Sequence, residues 1–490
     1  MLFNSFAFLI FFPVVTTLFF LLPHKFRWFH LLVASCIFYM YLIPVYILIL
    51  LFTIIIDYIA GRVIESAEGG KRKLFLIISL VANIGILAFF KYYNFFAENV
   101  NQLFHLTNIH INITLLNIIL PIGLSFHTFQ AMSYTIEVYR GNQKAERHLG
   151  VYALYVMFYP QLVAGPIERP QNILHQFHEV KRFNFDNCKE GLKLILWGFF
   201  KKIVIADRLA IVVNNVYKSP DYFTGPALLI TVIFFTFQLY CDFSGYSDIA
   251  LGTAKVMGYD LMINFNLPFS SKSVSEFWRR WHISLSTWLN DYLFTPTITA
   301  LRNWGKSAVA FGVLVTFFIC GFWHGAAWKY VVFGSVHGVA IVYEFYTRKK
   351  RKKLFDKLPK WINNRLSTLL TVSYFVWSAI FFRAKDIRQA LYVMRHLFSG
   401  WQKTLSYGGI KEMVTALGGN DTVYGTFNIA IGFLSIILLE LIQTKIKDNN
   451  PASVIKGWPK VMRWGFYYFL IIAILFVGTY DYQEFIYFQF

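Results

Sequence analysis

The chain has 490 residues, 57% hydrophobic and 15% charged, with 53 Phe, 29 Tyr, 13 Trp and a formal net charge of +20. Soluble domains carry about 25% charged residues, so this composition excludes an ordinary soluble globule and fits one integral membrane domain over residues 1–490. The basic residues fall between apolar runs, where cytoplasmic loops and anionic lipid account for them without nucleic acid.

Taken in chain order, the first apolar run covers about residues 5–22 and leads into the basic turn HKFR. It lacks the basic leader and small-residue cleavage site of a signal peptide, so it reads as a retained first span. Residues 30–58 are too long for one straight crossing and contain Pro44, which predicts two short or broken helices. The polar stretch 61–73 carries four basic residues and reads as cytoplasmic. Residues 74–96 cross outward, 97–114 hold no Lys or Arg, and 115–137 return to the basic loop at 140–148. Residues 150–163 are apolar but short and end in LVAGPIERP, which predicts a re-entrant piece broken at Gly165 and Pro166. Residues 187–218 mix aromatic and basic residues and read as amphipathic. A long span at 226–257 follows, then a polar, aromatic stretch at 259–305. Further spans fall near 307–325, 330–346, 366–382, 425–444 and 463–480, with RKKRKK at 348–353 marking a cytoplasmic end. This predicts an all-α polytopic protein with about eleven transmembrane or re-entrant helices. No internal repeat is visible, which counts against an inverted-repeat transporter.

Three stretches carry residues suited to chemistry. GFWHGAAW at 321–328 puts His324 at the end of an apolar run, where an ionisable side chain is costly and points to function. A buried imidazole stays neutral and can act as a general base. The small residues around it give room for a backbone or a ligand, and Trp323 and Trp328 offer flat walls. SVSEFWRRWHISLSTWLNDYLFTP at 273–296 gathers Trp278, Arg279, Arg280 and His282 more densely than an interfacial aromatic belt requires. Its guanidinium groups suit an anionic group such as phosphate. YCDFSGYSDIALG places Asp242 and Asp248 at the end of a span, where they either bond local backbone or orient the histidines. The spacing leaves both readings open.

The four cysteines, Cys36, Cys188, Cys241 and Cys320, have neither metal-ligand nor redox-motif spacing. GxSxG, Walker A and GxGxxG motifs are absent, so nothing supports a nucleophilic serine or a bound nucleotide cofactor.

LVAGPIERP, DFSGYSDIALG, NFNLPF at 264–269, EFWRRWHISLSTWLNDY, and GFWHGAAW with the HG at 337–338 resemble the membrane-bound O-acyltransferase superfamily, in its alginate O-acetyltransferase-like bacterial branch. The likeness runs over about residues 1–400 in the family's order, with a core at roughly 100–400 and C-terminal helices at 401–490. It implies a helical ring around a central pore, with His324 catalytic and His282 its partner. Trp278, Trp323, Arg279, Arg280, Asp242 and Asp248 would line the substrate path. The implied donor is acetyl-CoA, a co-substrate rather than a bound cofactor, whose phosphates would meet Arg279, Arg280 or the Lys201–Lys202 pair. His324 would act as base or itself carry the acyl group. The acceptor would be an extracytoplasmic polysaccharide, reached through a separate secreted or membrane-anchored transferase at the bacterial cytoplasmic (inner) membrane. Two departures stand out: Asn290 replaces the branch's Arg, and TPTITALRN replaces its Gly-Gly loop. D-alanyl-transferring relatives carry Asn where Arg279 stands and SGPI where this chain has AGPI, which favours acetyl transfer. Alternatives are D-alanyl or other acyl transfer, a proton-relaying transporter, and a scaffold for polysaccharide secretion.

Overall fold

A computed structural model describes residues 1–41, 43–223, 225–419, 421–445, 455, 457–480 and 485–486. Among these, every regular element is helical and no strand occurs. Seven helices are long and apolar enough to cross a membrane: Pro44–Ser66, Gly69–Leu106, Pro226–Val256, Lys306–His324, Lys360–Arg383, Gly425–Gln443 and Lys460–Val477. The other expected crossings are shorter or more polar helices. The chain divides into two compact units, one of residues 1–195 and 249–262, the other of 196–248 and 263–490.

The first unit opens with α1 (Phe6–Leu21) and α2 (His24–Met40). Pro44 then interrupts the helix before α3 (Ile47–Ser66), as its missing N–H and fixed φ require. The stretch 61–73 differs from its sequence reading as a loop. Helix α3 runs to Ser66, and α4 (Gly69–Leu87) resumes two residues later. Helix α5 (Tyr93–Leu106) likewise continues into the stretch read as an outside loop. The expected crossing at 115–137 starts late. Pro121 and Gly123, at φ +78°, delay α6 to Leu124–Arg140, and α6 is buried along nearly its whole length. A Cβ at Gly123 would lie 2.7 Å from the Leu162 carbonyl, so this turn requires glycine.

The re-entrant piece forms two short buried helices, α7 (Leu149–Met157) and α8 (Tyr159–Leu162), then a turn through Gly165 and Pro166 before α9 (Pro170–His178). Irregular backbone of this kind survives at membrane depth only when protein surrounds it. Between α3, α4 and α6 lies Asp57, wholly buried. Ser79 Oγ donates to its Oδ1 at 2.6 Å, and Asn83 Nδ2 donates to both oxygens at 3.0 and 2.9 Å.

Helix α10 (Phe185–Phe199) passes through a π-helical turn, Phe200–Ala206, into α11 (Asp207–Lys218). Helix α12 is Pro226–Val256. In the second unit, the stretch after it forms α13 (Val274–Arg280), α14 (Ile283–Leu289) and α15 (Thr295–Ala300). Helices α16 (Lys306–His324) and α17 (Trp328–Phe355) make a tight hairpin, followed by α18 (Lys360–Arg383) and α19 (Ile387–His396). Helices α20 (Trp401–Thr404), α21 (Tyr407–Leu417), α22 (Thr422–Gln443) and α23 (Lys460–Ile472) complete it.

The hairpin is closed by glycine. Gly321 on α16 meets Gly334 and the Tyr330 carbonyl on α17, with no room for a Cβ on either glycine. Close backbone approach through small residues is how helices pack tightly in a bilayer. Gly334→Val is expected to destabilise the protein by about 1–3 kcal/mol through overpacking, read as a lower melting temperature in detergent. Gly85→Ala, where a Cβ meets nothing within 4 Å, is the control and should leave the melting temperature unchanged or raise it.

Candidate active site

Helix α16 stops at His324 because the next residue, Gly325, is fully extended (φ −172°, ψ 153°) and leads through Ala326 and Ala327 into α17. His324 is therefore the last helical residue, set at the hairpin bend, with 5% of its surface exposed. The small residues around it admit a backbone: Gly321 and Gly325 are filled by α17 residues, Tyr330 above all. The His324 ring lies 5.0 Å from Trp323, 5.2 Å from Phe382 and 6.1 Å from Phe333, and its Nε2 is 3.9 Å from Cys320 Sγ. Trp328, expected as a second wall, is instead 53% exposed.

His282 sits between α13 and α14 in the left-handed region (φ 45°, ψ 53°), an uncommon conformation for a non-glycine residue. A backbone clasp holds it there. The Asn266 N–H donates to the Arg280 carbonyl and the Ile283 N–H to the Asn264 carbonyl, both at 2.9 Å. Within the clasp, Asn264 Oδ1 lies 3.1 Å from His282 Nδ1, and it also accepts from Ser284 N at 3.3 Å and Ser284 Oγ at 3.0 Å. A backbone N–H can only donate, so this Asn264 atom is the oxygen and His282 Nδ1 must carry the proton. In the neutral ring Nε2 then holds the lone pair. Burial, then the neighbouring His324, hold this imidazole well below its ordinary pKa, so it is neutral across the physiological range.

Trp323 links the two histidines, its ring 5.9 Å from His282 and 5.0 Å from His324. Phe243 closes the other face of His282 at 4.7 Å. A third histidine, His337 on α17, lies 4.8 Å from Phe333 and 5.2 Å from Trp278, with Nε2 2.9 Å from Ser378 Oγ. Ser378 Oγ also donates to the Phe375 carbonyl, so His337 Nε2 is the donor to the hydroxyl. The buried Trp278 Nε1 and His337 Nδ1 have no hydrogen-bond partner among the described residues. Sequence reasoning quoted NFNLPF and the HG at 337–338 without assigning roles to Asn264 or His337. The signal available was a second intramembrane-type histidine one hairpin arm away from the first.

The expected charged contacts are arranged differently. Among the described residues, Asp242 and Asp248 bond neither local backbone nor a histidine. Asp242 pairs with Lys202 at 2.7 Å and accepts the Ile486 N–H at 2.8 Å, while Asp248 pairs with Lys201 at 2.7 Å. Asp207 also holds Lys202, at 2.8 Å. The Lys201–Lys202 pair, read from sequence as a phosphate contact, is thus committed to carboxylates, Asp207 and Asp242 buried and Asp248 half-buried, which a buried ammonium requires. Arg280 is tied to Glu276 at 2.9 and 3.0 Å. Arg279 is exposed and has no side-chain partner among the described residues, so of these cations it is the one open to an anion.

Comparison with known proteins places the chain among relatives of one family. The model of the membrane-bound O-acyltransferase family matches residues 147–383, which span both histidines and Asn264. The chain is 36% identical to a probable alginate O-acetylase of Pseudomonas aeruginosa, over 82% of this chain and 76% of that protein. It is 30% identical to a peptidoglycan O-acetyltransferase of Helicobacter pylori, over 94% and 91%. A teichoic acid D-alanyltransferase of Bacillus subtilis is 30% identical over 52% of this chain and 66% of its own length. The helical fold, the apolar spans and these likenesses converge: this chain belongs to the membrane-bound O-acyltransferase family and is a multi-pass membrane acyltransferase.

Proposed function

We propose that this acyltransferase moves an acetyl group from cytoplasmic acetyl-CoA, through the membrane, toward the hydroxyl groups of an extracytoplasmic polysaccharide, with His324 as its catalytic base. The observation that carries the proposal is the pairing of two buried histidines, His282 and His324, on either side of Trp323. Acetyl rather than D-alanyl transfer is favoured because the O-acetylating relatives cover 82% and 94% of this chain against 52% for the D-alanyl relative.

In this reaction His324 removes the proton of an acceptor hydroxyl as its oxygen attacks the thioester carbonyl. The C–S bond breaks, an ester forms, and the imidazolium returns its proton to the leaving thiolate. His282 is a partner of fixed tautomer, held by Asn264. Trp278 Nε1–H donates a hydrogen bond to the substrate, and His337 Nδ1 accepts one. Arg279 receives a donor phosphate, bidentately if the geometry allows both nitrogens to reach it. The acceptor is delivered by a secreted or membrane-anchored transferase, and the protein works in the bacterial cytoplasmic membrane.

His324→Ala is expected to slow transfer by roughly 10²–10⁴-fold while the protein still folds. Acetyl-CoA consumption by the purified variant, alongside its melting temperature, checks this, and wild-type turnover would remove His324 from the mechanism. Asn264→Asp places a carboxylate against His282 Nδ1, which stabilises the imidazolium and raises that pKa. An acid limb absent from the wild-type rate profile should then appear at measurable pH, with KM little changed. The basic stretches at 140–148 and, at the end of α17, 348–353 are expected to label from the cytoplasm, and 97–114 from outside, when single cysteines are introduced in intact cells. Labelling of 97–114 and 140–148 from one side would remove the basis for transfer across the membrane.

A further inference from the structure

Helices α17 and α18 leave between them a cavity of about 720 Å³ whose walls change character along its length. One end is apolar, with Val339 and Tyr343 exposed on α17 and Leu370 exposed on α18, a helix long and apolar enough to cross a membrane. The other end is basic, with Lys272, Arg348 and Lys352 facing one free carboxylate, Asp356. The second carboxylate in the wall, Glu344, is already committed. It accepts the Val274 N–H at 2.8 Å, the Ser275 N–H at 3.0 Å and Ser275 Oγ at 2.8 Å, and it faces Arg351 at 4.0 Å. Arg348 and Lys352 are exposed, and their side chains make no bond to a described residue.

We propose that this groove binds one anionic phospholipid, its headgroup phosphate between Arg348 and Lys352 and its acyl chains along Val339, Tyr343 and Leu370. Positive charge at one end and exposed apolar surface at the other match the two halves of such a molecule, whereas a soluble phosphate ester would leave the apolar half uncovered. The arrangement differs from a diffuse polybasic patch. On α17 the residues at 344, 348 and 352 fall one turn apart on the groove face, while Lys349 and Lys353 lie outside it. The lipid would sit against Glu344, which fixes the first turn of α13, the helix leading to Arg279, Arg280 and His282. Headgroup occupancy therefore borders the support of the histidine clasp without touching the histidines.

The test uses the purified full chain in zwitterionic detergent, titrated with phosphatidylglycerol or phosphatidylcholine and read by native mass spectrometry. Wild-type protein should retain phosphatidylglycerol in preference to phosphatidylcholine. Arg348→Ala/Lys352→Ala should weaken phosphatidylglycerol retention on the order of 25-fold, from about fivefold per cation removed. Lys349→Ala/Lys353→Ala, which removes the same charge outside the groove, should retain it. Inorganic phosphate should not displace the lipid. Equal retention by the wild type and the groove variant, or equal loss in both double variants, would overturn the groove. Displacement by inorganic phosphate would overturn the lipid as its occupant. None of these readouts depends on acyl transfer, so the result stands apart from the catalytic proposal.

Discussion

The site depends on one hydrogen-bonded clasp, the acceptance by Asn264 Oδ1 of His282 Nδ1–H and of two Ser284 donors. A buried polar group left without partners costs about 1–3 kcal/mol, so the clasp both stabilises the loop and fixes the imidazole's tautomer. It also explains why His282 tolerates a left-handed backbone. The conformation is unfavourable locally, and the bonds between 264–266 and 280–283 over-determine it. Strain and satisfied polar groups fall on the same residue, as they do where orientation matters more than local comfort.

Two other devices fix what the clasp faces. The glycine-packed hairpin of α16 and α17 brings Trp323 and His324 to the bend, so that the second histidine is placed by backbone contact rather than by flexible side chains. The buried pairs Lys202–Asp242 and Lys202–Asp207 and the half-buried pair Lys201–Asp248 occupy the charged residues nearest in sequence to Phe243. Asp242 in turn anchors Ile486, and the adjacent Phe485 packs on Phe243 at 6.1 Å. Ion pairs buried in this way contribute little net stability, but breaking one leaves an uncompensated charge and costs several kcal/mol, so they act as locks.

Much of this was legible in the sequence. Apolar run length located five of the seven crossing helices closely, because hydrocarbon thickness sets a minimum that composition reveals directly. The density of FWRRWH and the oddity of His324 in an apolar run pointed to the two histidines, which ring contacts with Trp323 bring together. Charge partners were not legible. Lys201 and Lys202 look the same in sequence whether they face a phosphate or a carboxylate some forty residues away, and helix packing alone decides between them. Asn264 was equally opaque, since its role comes from pairing across a turn that periodicity does not encode. The late start of α6 was foreshadowed by Pro121 and Gly123 but overridden by the hydropathy of 115–122.

The position of His324 at a helix end bears on the proposed chemistry. The C-terminal end of a helix carries partial negative charge on its unsatisfied carbonyls. An imidazole that takes up a proton there develops its positive charge beside that field, in surroundings of Trp323, Phe333 and Phe382 that exclude water and leave the field unscreened. In the proposed reaction that field would stabilise the charge as it forms, which is the differential stabilisation a catalytic base requires. A histidine in mid-helix, with its neighbouring carbonyls already bonded, would have the desolvation without the compensating field.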